Sequence, residues 1–384
     1  GIAHTFQSKE EQDAEWRWAR NSQKSGFMQS ALRIAAASPE MQTPEWDIDP
    51  MVLGAANGVL NLNSGRLKKQ KQSDPIFLKT QVEFDDKAKC PRWLSYLTEV
   101  FGDTEVIEFV QRAVGYTLSG QTHEQCFFYL IGGGGNGKST FLNVISKLLG
   151  EYHIASSFNT FSTRRGDIPN DLAALQGKRL ITTGEPNQRA VWDEQVLKAL
   201  TGGDTISARW MRGEFFQFRP VGKLWVAANV EVRSRDLSDA FWRRVSMIDF
   251  PRRFSPGDEP GLEARLDSEL PGILNWAVEG CLSWQKLKLS TPNSVIERSN
   301  EYRDTERENT WGGISQFRQD RLIADATAKI RSSEVYAEYL GWAKSHLTQK
   351  EILSSIEMGR QLVAIGAKRG HDSSGSWYAL RILP

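Results

Sequence analysis

One junction constrains this chain more than any other feature. An apolar run, CFFYLI, passes directly into GGGGNGKST and then into the helix-like STFLNVISKLLG. Gly132 to Ser139 satisfy G-x-x-x-x-G-K-[ST], with a strand signature before them and a helix signature after. Glycines are needed where a backbone wraps an anion so closely that Cβ atoms would collide, with successive N–H groups and the helix N-terminus aimed at it. The pattern predicts a phosphate-binding loop of Gly132, Gly133, Gly134, Gly135, Asn136, Gly137, Lys138, Ser139 and Thr140. In such a loop Lys138 reaches the β- and γ-phosphates of ATP, and Ser139 offers its hydroxyl to Mg²⁺.

A strand, loop and helix in that order call for a parallel sheet covered by helices, and the residues up to Phe250 supply the rest of it. CFFYLIG, KRLITTGE, KLWVAAN and VSMIDF read as strands alternating with helix-like segments. Upstream, Glu10 to about Ala37 is polar and helix-compatible with scattered apolar points at Trp16, Trp18, Phe27, Met28, Leu32 and Ile34. Residues 45–85 read as small hairpins, and Pro91 to Leu118 turns helical. Downstream, a polar stretch from Ser290 to Asn309 reads as a linker or exposed helix. Helices near 332–345 and 354–365 and a hairpin over 367–383, turning at Ser373, Ser374 and Gly375, predict a winged helix. The expected domains are an N-terminal helical and hairpin region over 1–120, serving as a collar for oligomerisation, an α/β P-loop ATPase core over 121–290, a linker over 291–310 and a winged-helix-like unit over 311–384. A start at Gly1 without Met, running straight into a polar helix, is expected of a fragment of a longer protein.

Composition excludes more than it selects. A 40% hydrophobic and 25% charged chain of 384 residues is ordinary globular protein, and a net charge of +1 rules out a basic nucleic-acid coat. Cys90, Cys126 and Cys281 lie far apart without ligand spacing, so neither a disulfide framework nor a zinc site is expected. No apolar run reaches the ~20 residues of a membrane span. A reducing, cytoplasmic setting fits best.

Downstream of the loop, GKRLITTGE ends a strand at Glu185, where a lone acid would hold the hydrated Mg²⁺ and polarise the attacking water. KLWVAAN ends at Asn229, whose amide would orient that water or sense the γ-phosphate. FWRRVSMIDF then places Arg243 and Arg244 before a buried strand, from which one guanidinium could reach a nucleotide held by a neighbouring subunit; spacing does not say which. Between Glu185 and Asn229, TISARWM and FFQFRP predict a hairpin whose tip carries Arg209, Trp210 and Arg212, with Lys198 on the preceding helix. Those four residues suit single-stranded DNA through phosphate charge and base stacking. Lys368, Arg369 and His371 offer a second basic run near the C-terminal hairpin.

The ordered set of phosphate loop, lone acid, LTGGD with its hairpin, Asn and Arg pair resembles the superfamily-three helicases, specifically the poxvirus- and phage-type primase-helicases. DIDPMVLGAANGVLNLNSGRL, FDDKAKCPRWLSYL and VQRAVGYTLSG resemble the region preceding the ATPase in that group, so the similarity spans roughly residues 45–255. After Asn229 the chain departs from the family's usual His, Lys and Pro, carrying Val230, Glu231 and Val232. The resemblance implies an AAA+-like fold, a homo-hexameric ring with ATP at subunit interfaces, ssDNA and forked duplex as partners, and 3′-to-5′ translocation. Lys138, Ser139, Glu185, Asn229 and Arg243 or Arg244 are its implied functional positions. The alternative is an AAA+-like ATP switch that binds an origin and loads or remodels other replication proteins. A small-molecule kinase fits poorly, because the arginine pair and the hairpin have no use there.

Overall fold

The computed structural model of the protein describes residues 8–38, 45–163, 170–186, 190–211, 213–234, 236, 238–255, 259–309, 313–347, 349 and 352–383. By its internal contacts the chain divides between Ile48 and Asp49. The first body holds α1 (Lys9–Ser22), capped by the Ser8 hydroxyl accepting from the Glu11 amide, and α2 (Ser25–Ala37). Neither helix buries a residue, and Trp16, Trp18, Phe27, Leu32 and Ile34 are each more than half exposed.

The second body begins with an antiparallel meander, β1 (Val52–Ala55), β2 (Gly58–Asn61) and β3 (Arg66–Lys68), turned by the Asn-Gly and Ser-Gly pairs. Two helices follow. α3 (Pro91–Phe101) starts at a proline and stops at Gly102, which adopts φ +67°, and α4 (Thr104–Leu118) starts on the Asp103 side chain.

The main sheet is parallel throughout. Its strands are β4 (Phe127–Ile131), leading into α5 (Lys138–Leu149); β5 (His153–Ser156), followed by the short α6 (Asn170–Ala173); and β6 (Leu180–Thr183), leading to α7 (Glu194–Gly202). The antiparallel pair β7 (Ile206–Arg209) and β8 (Phe215–Phe218) then precedes β9 (Lys223–Ala228), the short α8 (Asp239–Trp242) and β10 (Val245–Asp249). The order across the sheet is β10, β4, β9, β6, β5. A strand buried on both faces must be apolar at every position, and all five residues of β4 are buried. Its alternation divides them: Phe128 and Leu130 join a core with Trp93, Phe141 and Trp225, whereas Phe127, Tyr129 and Ile131 join a second core with Trp192, Leu197 and Phe241.

α9 (Leu262–Ser268) and α10 (Leu270–Leu287) return to α4, and two glycines set how closely. A Cβ on Gly115 would lie 2.1 Å from the Cys281 amide nitrogen, and one on Gly280 would lie 2.2 Å from the Gln111 carbonyl. Leu53, Leu60, Phe109, Phe128 and Trp276 consequently share one core. The hairpins and helices of 49–118 therefore share a core with the sheet.

The stretch expected as a linker over 291–310 contains a packed helix, α11 (Asn293–Asn309). Its few apolar residues hid the reason: Val295, Tyr302 and the carboxylate Glu306 recur on one face and are buried, Tyr302 completely. α12 (Ile314–Arg321), β11 (Leu322–Ala324), β12 (Ile330–Arg331), α13 (Ser332–His346), α14 (Ser355–Ala364), β13 (Arg369–Asp372), β14 (Gly375–Tyr378) and β15 (Leu380–Ile382) complete the chain around a third core that includes Phe317, Tyr339, Trp342 and Tyr378. The two helices and the hairpin expected there are present. β5, short and with a polar edge, went unanticipated.

The three cysteines are free and buried, and burial pushes the Cys90 and Cys126 thiols up to about 12 and Cys281 to about 11. Among the described residues no helix is long and apolar enough to cross a membrane, and no group of His, Cys, Asp and Glu has the arrangement of a metal cluster.

Candidate functional site

The carboxyl ends of parallel strands with helices behind them form the edge where ligands sit in open α/β sheets. Here β4 ends in the glycine loop, and Gly134, Gly135 and Gly137 hold φ of +91°, +63° and +89°. A side chain at Gly137 would meet the Tyr96 hydroxyl at 2.8 Å, and one at Gly132 would meet the Phe250 carbonyl at 2.8 Å. The loop is braced from two sides. Tyr96 of α3 donates to the Gly137 carbonyl at 2.7 Å; beyond β10, the Phe254 amide donates to the Gly135 carbonyl at 2.8 Å. Asn136 turns its amide inward, donating to the Phe250 carbonyl at 2.9 Å, so its side chain shapes the loop.

Lys138 opens α5 and is buried, while Ser139 is exposed and Thr140 half-buried on the same turn. The Lys138 ammonium donates to the Gly132 carbonyl at 2.6 Å and to Asn229 Oδ1 at 3.0 Å. Asn229 Nδ2 in turn donates to the exposed carboxylate of Glu185. Burial lowers the Lys138 pKa, and the Glu185 charge works against that. Lysine, amide and carboxylate thus form one chain across the ends of β4, β9 and β6, which are neighbours in the sheet. These three residues lie 91 and 44 positions apart along the sequence. An ammonium and a helix N-terminus facing a loop of left-handed glycines suit a polyanionic phosphate group, and an exposed hydroxyl and carboxylate are hard oxygen donors of the kind Mg²⁺ takes.

The arginine pair is divided by burial. Arg244 is 8% exposed and donates to the Thr201 hydroxyl at 3.1 Å and to the Ala240 carbonyl, and burial lowers its pKa. Arg243 is exposed, reaching only to Gln125 Oε1 at 3.1 Å among its described contacts. Of the two, Arg243 is the one whose side chain lies exposed.

β7 and β8 form the expected hairpin, with Arg209 paired to Phe215. Ile206, Ala208 and Phe218 root it in the core, while Trp210, Met211 and Phe215 are 51%, 75% and 54% exposed at its tip. The Arg209 guanidinium lies 5.1 Å over the Phe215 ring, and Trp210 stacks on Phe216. Arg212 lies outside the described residues. Lys198 is engaged within the chain, its ammonium paired with Asp236 beside a cleft that also carries Glu194 and Asp204. The structure therefore groups Arg209 and Trp210 at one tip and leaves Lys198 in acidic surroundings.

Sequence reasoning missed a pocket of about 540 Å³ next to the loop, lined by Tyr96, Gly135, Thr140, Arg252, Phe254 and Leu262 among others. Its aromatic floor comes from Phe254, with the Arg252 guanidinium 5.2 Å above the ring. Nothing in the spacing of these residues marks them; the loop's own hydrogen bonds to Tyr96 and Phe254 bring them together.

The chain is similar to several known proteins. A family model described as D5 N terminal like matches residues 2–102, and a second, a family of unknown function (DUF5906), matches residues 130–244. The protein L207/L206 of Acanthamoeba polyphaga mimivirus, which carries a helicase name, is 26% identical over 79% of this chain and 34% of its own length. Protein 022R of Frog virus 3, also carrying a helicase name, is 24% identical over 68% of the chain and 29% of its length. C962R of African swine fever virus, which carries a primase name, is 20% identical over 89% of the chain and 38% of its length. The chain thus spans about a third of the length of these relatives. The apo structure of the NrS-1 C-terminal region shares the fold, with a TM-score of 0.50 at 10% identity over 84% of this chain and 83% of that one. Two family models in sequence order, helicase- and primase-named viral relatives and a shared mixed α/β fold support a likeness to the viral and phage primase-helicases of superfamily-three type.

Proposed function

We propose that this chain is the ATP-driven motor of a replicative DNA helicase, an AAA+-like P-loop ATPase that works as a homo-hexameric ring on single-stranded DNA. The observation that carries the reading is the chain of hydrogen bonds from Lys138 through Asn229 to Glu185 beside the glycine loop. Lys138 and the loop amides neutralise the β- and γ-phosphates, and the pocket of Tyr96, Arg252 and Phe254 takes the base. Ser139 and Glu185 would hold Mg²⁺, which supplies further charge neutralisation on the phosphates. Asn229 orients a water, Glu185 accepts its proton as the water oxygen bonds to the γ-phosphorus, and the bond to the β-bridging oxygen breaks with ADP as leaving group. Exposed Arg243 serves the site of the adjacent subunit, and the Arg209 and Trp210 hairpin tip holds DNA in the ring with 3′-to-5′ movement. The C-terminal helices and hairpin are read as a winged helix.

A second reading, an origin-binding switch without unwinding, draws on Arg360, Arg369 and His371, which line one cleft between α14 and the β13–β14 hairpin. Hydrolysis of ATP with and without ssDNA, alongside displacement of a forked duplex, tests both. The motor predicts DNA-stimulated turnover, strand displacement, and a fall of about 100-fold or more in Lys138→Ala and Glu185→Gln. Turnover indifferent to DNA with no displacement would favour the switch.

A further inference from the structure

We propose that Arg298, Tyr302 and Glu306 of α11 are positioning residues that hold the segment after Asn229, and so set where the Asn229 amide stands relative to Lys138 and Glu185. The inference rests on the ATPase reading of that site. It begins from the residues at which the chain departs from its family: Val230, Glu231 and Val232.

Three side chains spaced four apart on one face of α11 engage that segment in register. Arg298 donates to the Glu231 carboxylate at 2.6 Å and, through Nε, to Asp249 at the end of β10 at 3.2 Å. One turn on, the Tyr302 hydroxyl donates to the Val232 carbonyl while accepting from Trp192 Nε1 at 2.9 Å. A further turn on, Glu306 accepts from the Ser234 amide at 2.7 Å and pairs with Arg233 at 3.5 Å. From the other side, the Tyr129 hydroxyl of β4 donates to the Val230 carbonyl at 2.6 Å. Every residue from 230 to 234 is therefore tied by its side chain or its backbone, and Asn229 is the first residue outside the tie. Tyr302 and Glu306 are 0% and 2% exposed, so their bonds exchange little with water, whereas the Arg298 link, at 22% and 26% side-chain exposure, can be altered without opening the core.

An amide that must orient a water is sensitive to displacements well under the length of a bond, and such misplacement lowers turnover without weakening nucleotide binding. The Arg298–Glu231 link is the part to test. Steady-state ATP hydrolysis and thermal melting are measured for Arg298→Ala, Glu231→Ala, the double variant and Arg298→Lys, beside the wild type and Lys138→Ala. The expected result is a kcat lower by about tenfold in each single variant, KM within about threefold, no further loss in the double variant, and recovery in Arg298→Lys. Wild-type kcat in the single variants overturns the inference. A kcat loss that only follows a fallen melting temperature, or that adds in the double variant, overturns it as well. If the wild type hydrolyses no faster than Lys138→Ala, the ATPase reading itself has failed, and this inference falls with it.

Discussion

Two adjacent arginines with the same chemistry have opposite prospects because one is enclosed and the other is not. Replacing Arg244 by Ala leaves the Thr201 hydroxyl and Ala240 carbonyl without their charged partner, at a cost of about 1.5–3 kcal/mol, so Arg244→Ala is expected to melt several degrees lower. Arg243→Ala is expected to keep the wild-type melting temperature and lose ATP turnover, which mixing with Lys138→Ala subunits restores in part, because each defective chain then supplies what the other lacks. A dead Arg244→Ala with unchanged melting, or an active Arg243→Ala, would reverse the assignment. The sequence placed both arginines before the strand, and only burial separates them. Lys138 and Glu185 were legible from the loop and from strand ends because their positions follow from local pattern. Tyr96 and Phe254 were not, since they reach the loop across 41 and 119 residues of sequence, one by its hydroxyl and the other by its amide, through hydrogen bonds to loop carbonyls that leave no periodic trace.

At the scale of elements, the hairpin is stabilised at its root and committed at its tip. Ile206, Ala208 and Phe218 hold it whether or not Trp210 is present, so Trp210→Ala is expected to fold normally. If the tip grips DNA, the substitution costs about 1–3 kcal/mol of single-strand affinity and removes DNA stimulation while basal hydrolysis persists. Fluorescence anisotropy with a labelled oligonucleotide reads the affinity, and an unchanged value would move DNA contact elsewhere. The strands were legible because a buried parallel strand is a solid apolar run, as in CFFYLI and KLWVAA. α11 was read as linker or exposed helix because only Val295 and Tyr302 mark its inner face among charged residues. Its inner face is polar by design of its contacts: Arg298 and Glu306 are spent on the segment after Asn229.

Over the whole molecule, a long-range partnership joins α4 with α10, brought together where Gly115 faces Cys281 and Gly280 faces Gln111. A methyl group at Gly115 has no room beside backbone, so Gly115→Ala is expected to cost about 3 kcal/mol or more, above the usual range for overpacking, and to lower the melting temperature although the residue touches none of the site. Circular dichroism with heating measures it; a neutral Gly115→Ala would mean that the two helices can part without consequence. Between those helices in the sequence lies the entire parallel sheet. For a ribosome releasing this chain from its N-terminus, β4 to β10 emerge before α10 exists to cover α4, and the large apolar face that Trp276 and Cys281 close in the finished protein stands open to water until then. Closure of that face accordingly waits until α10, which ends at Leu287, has been made.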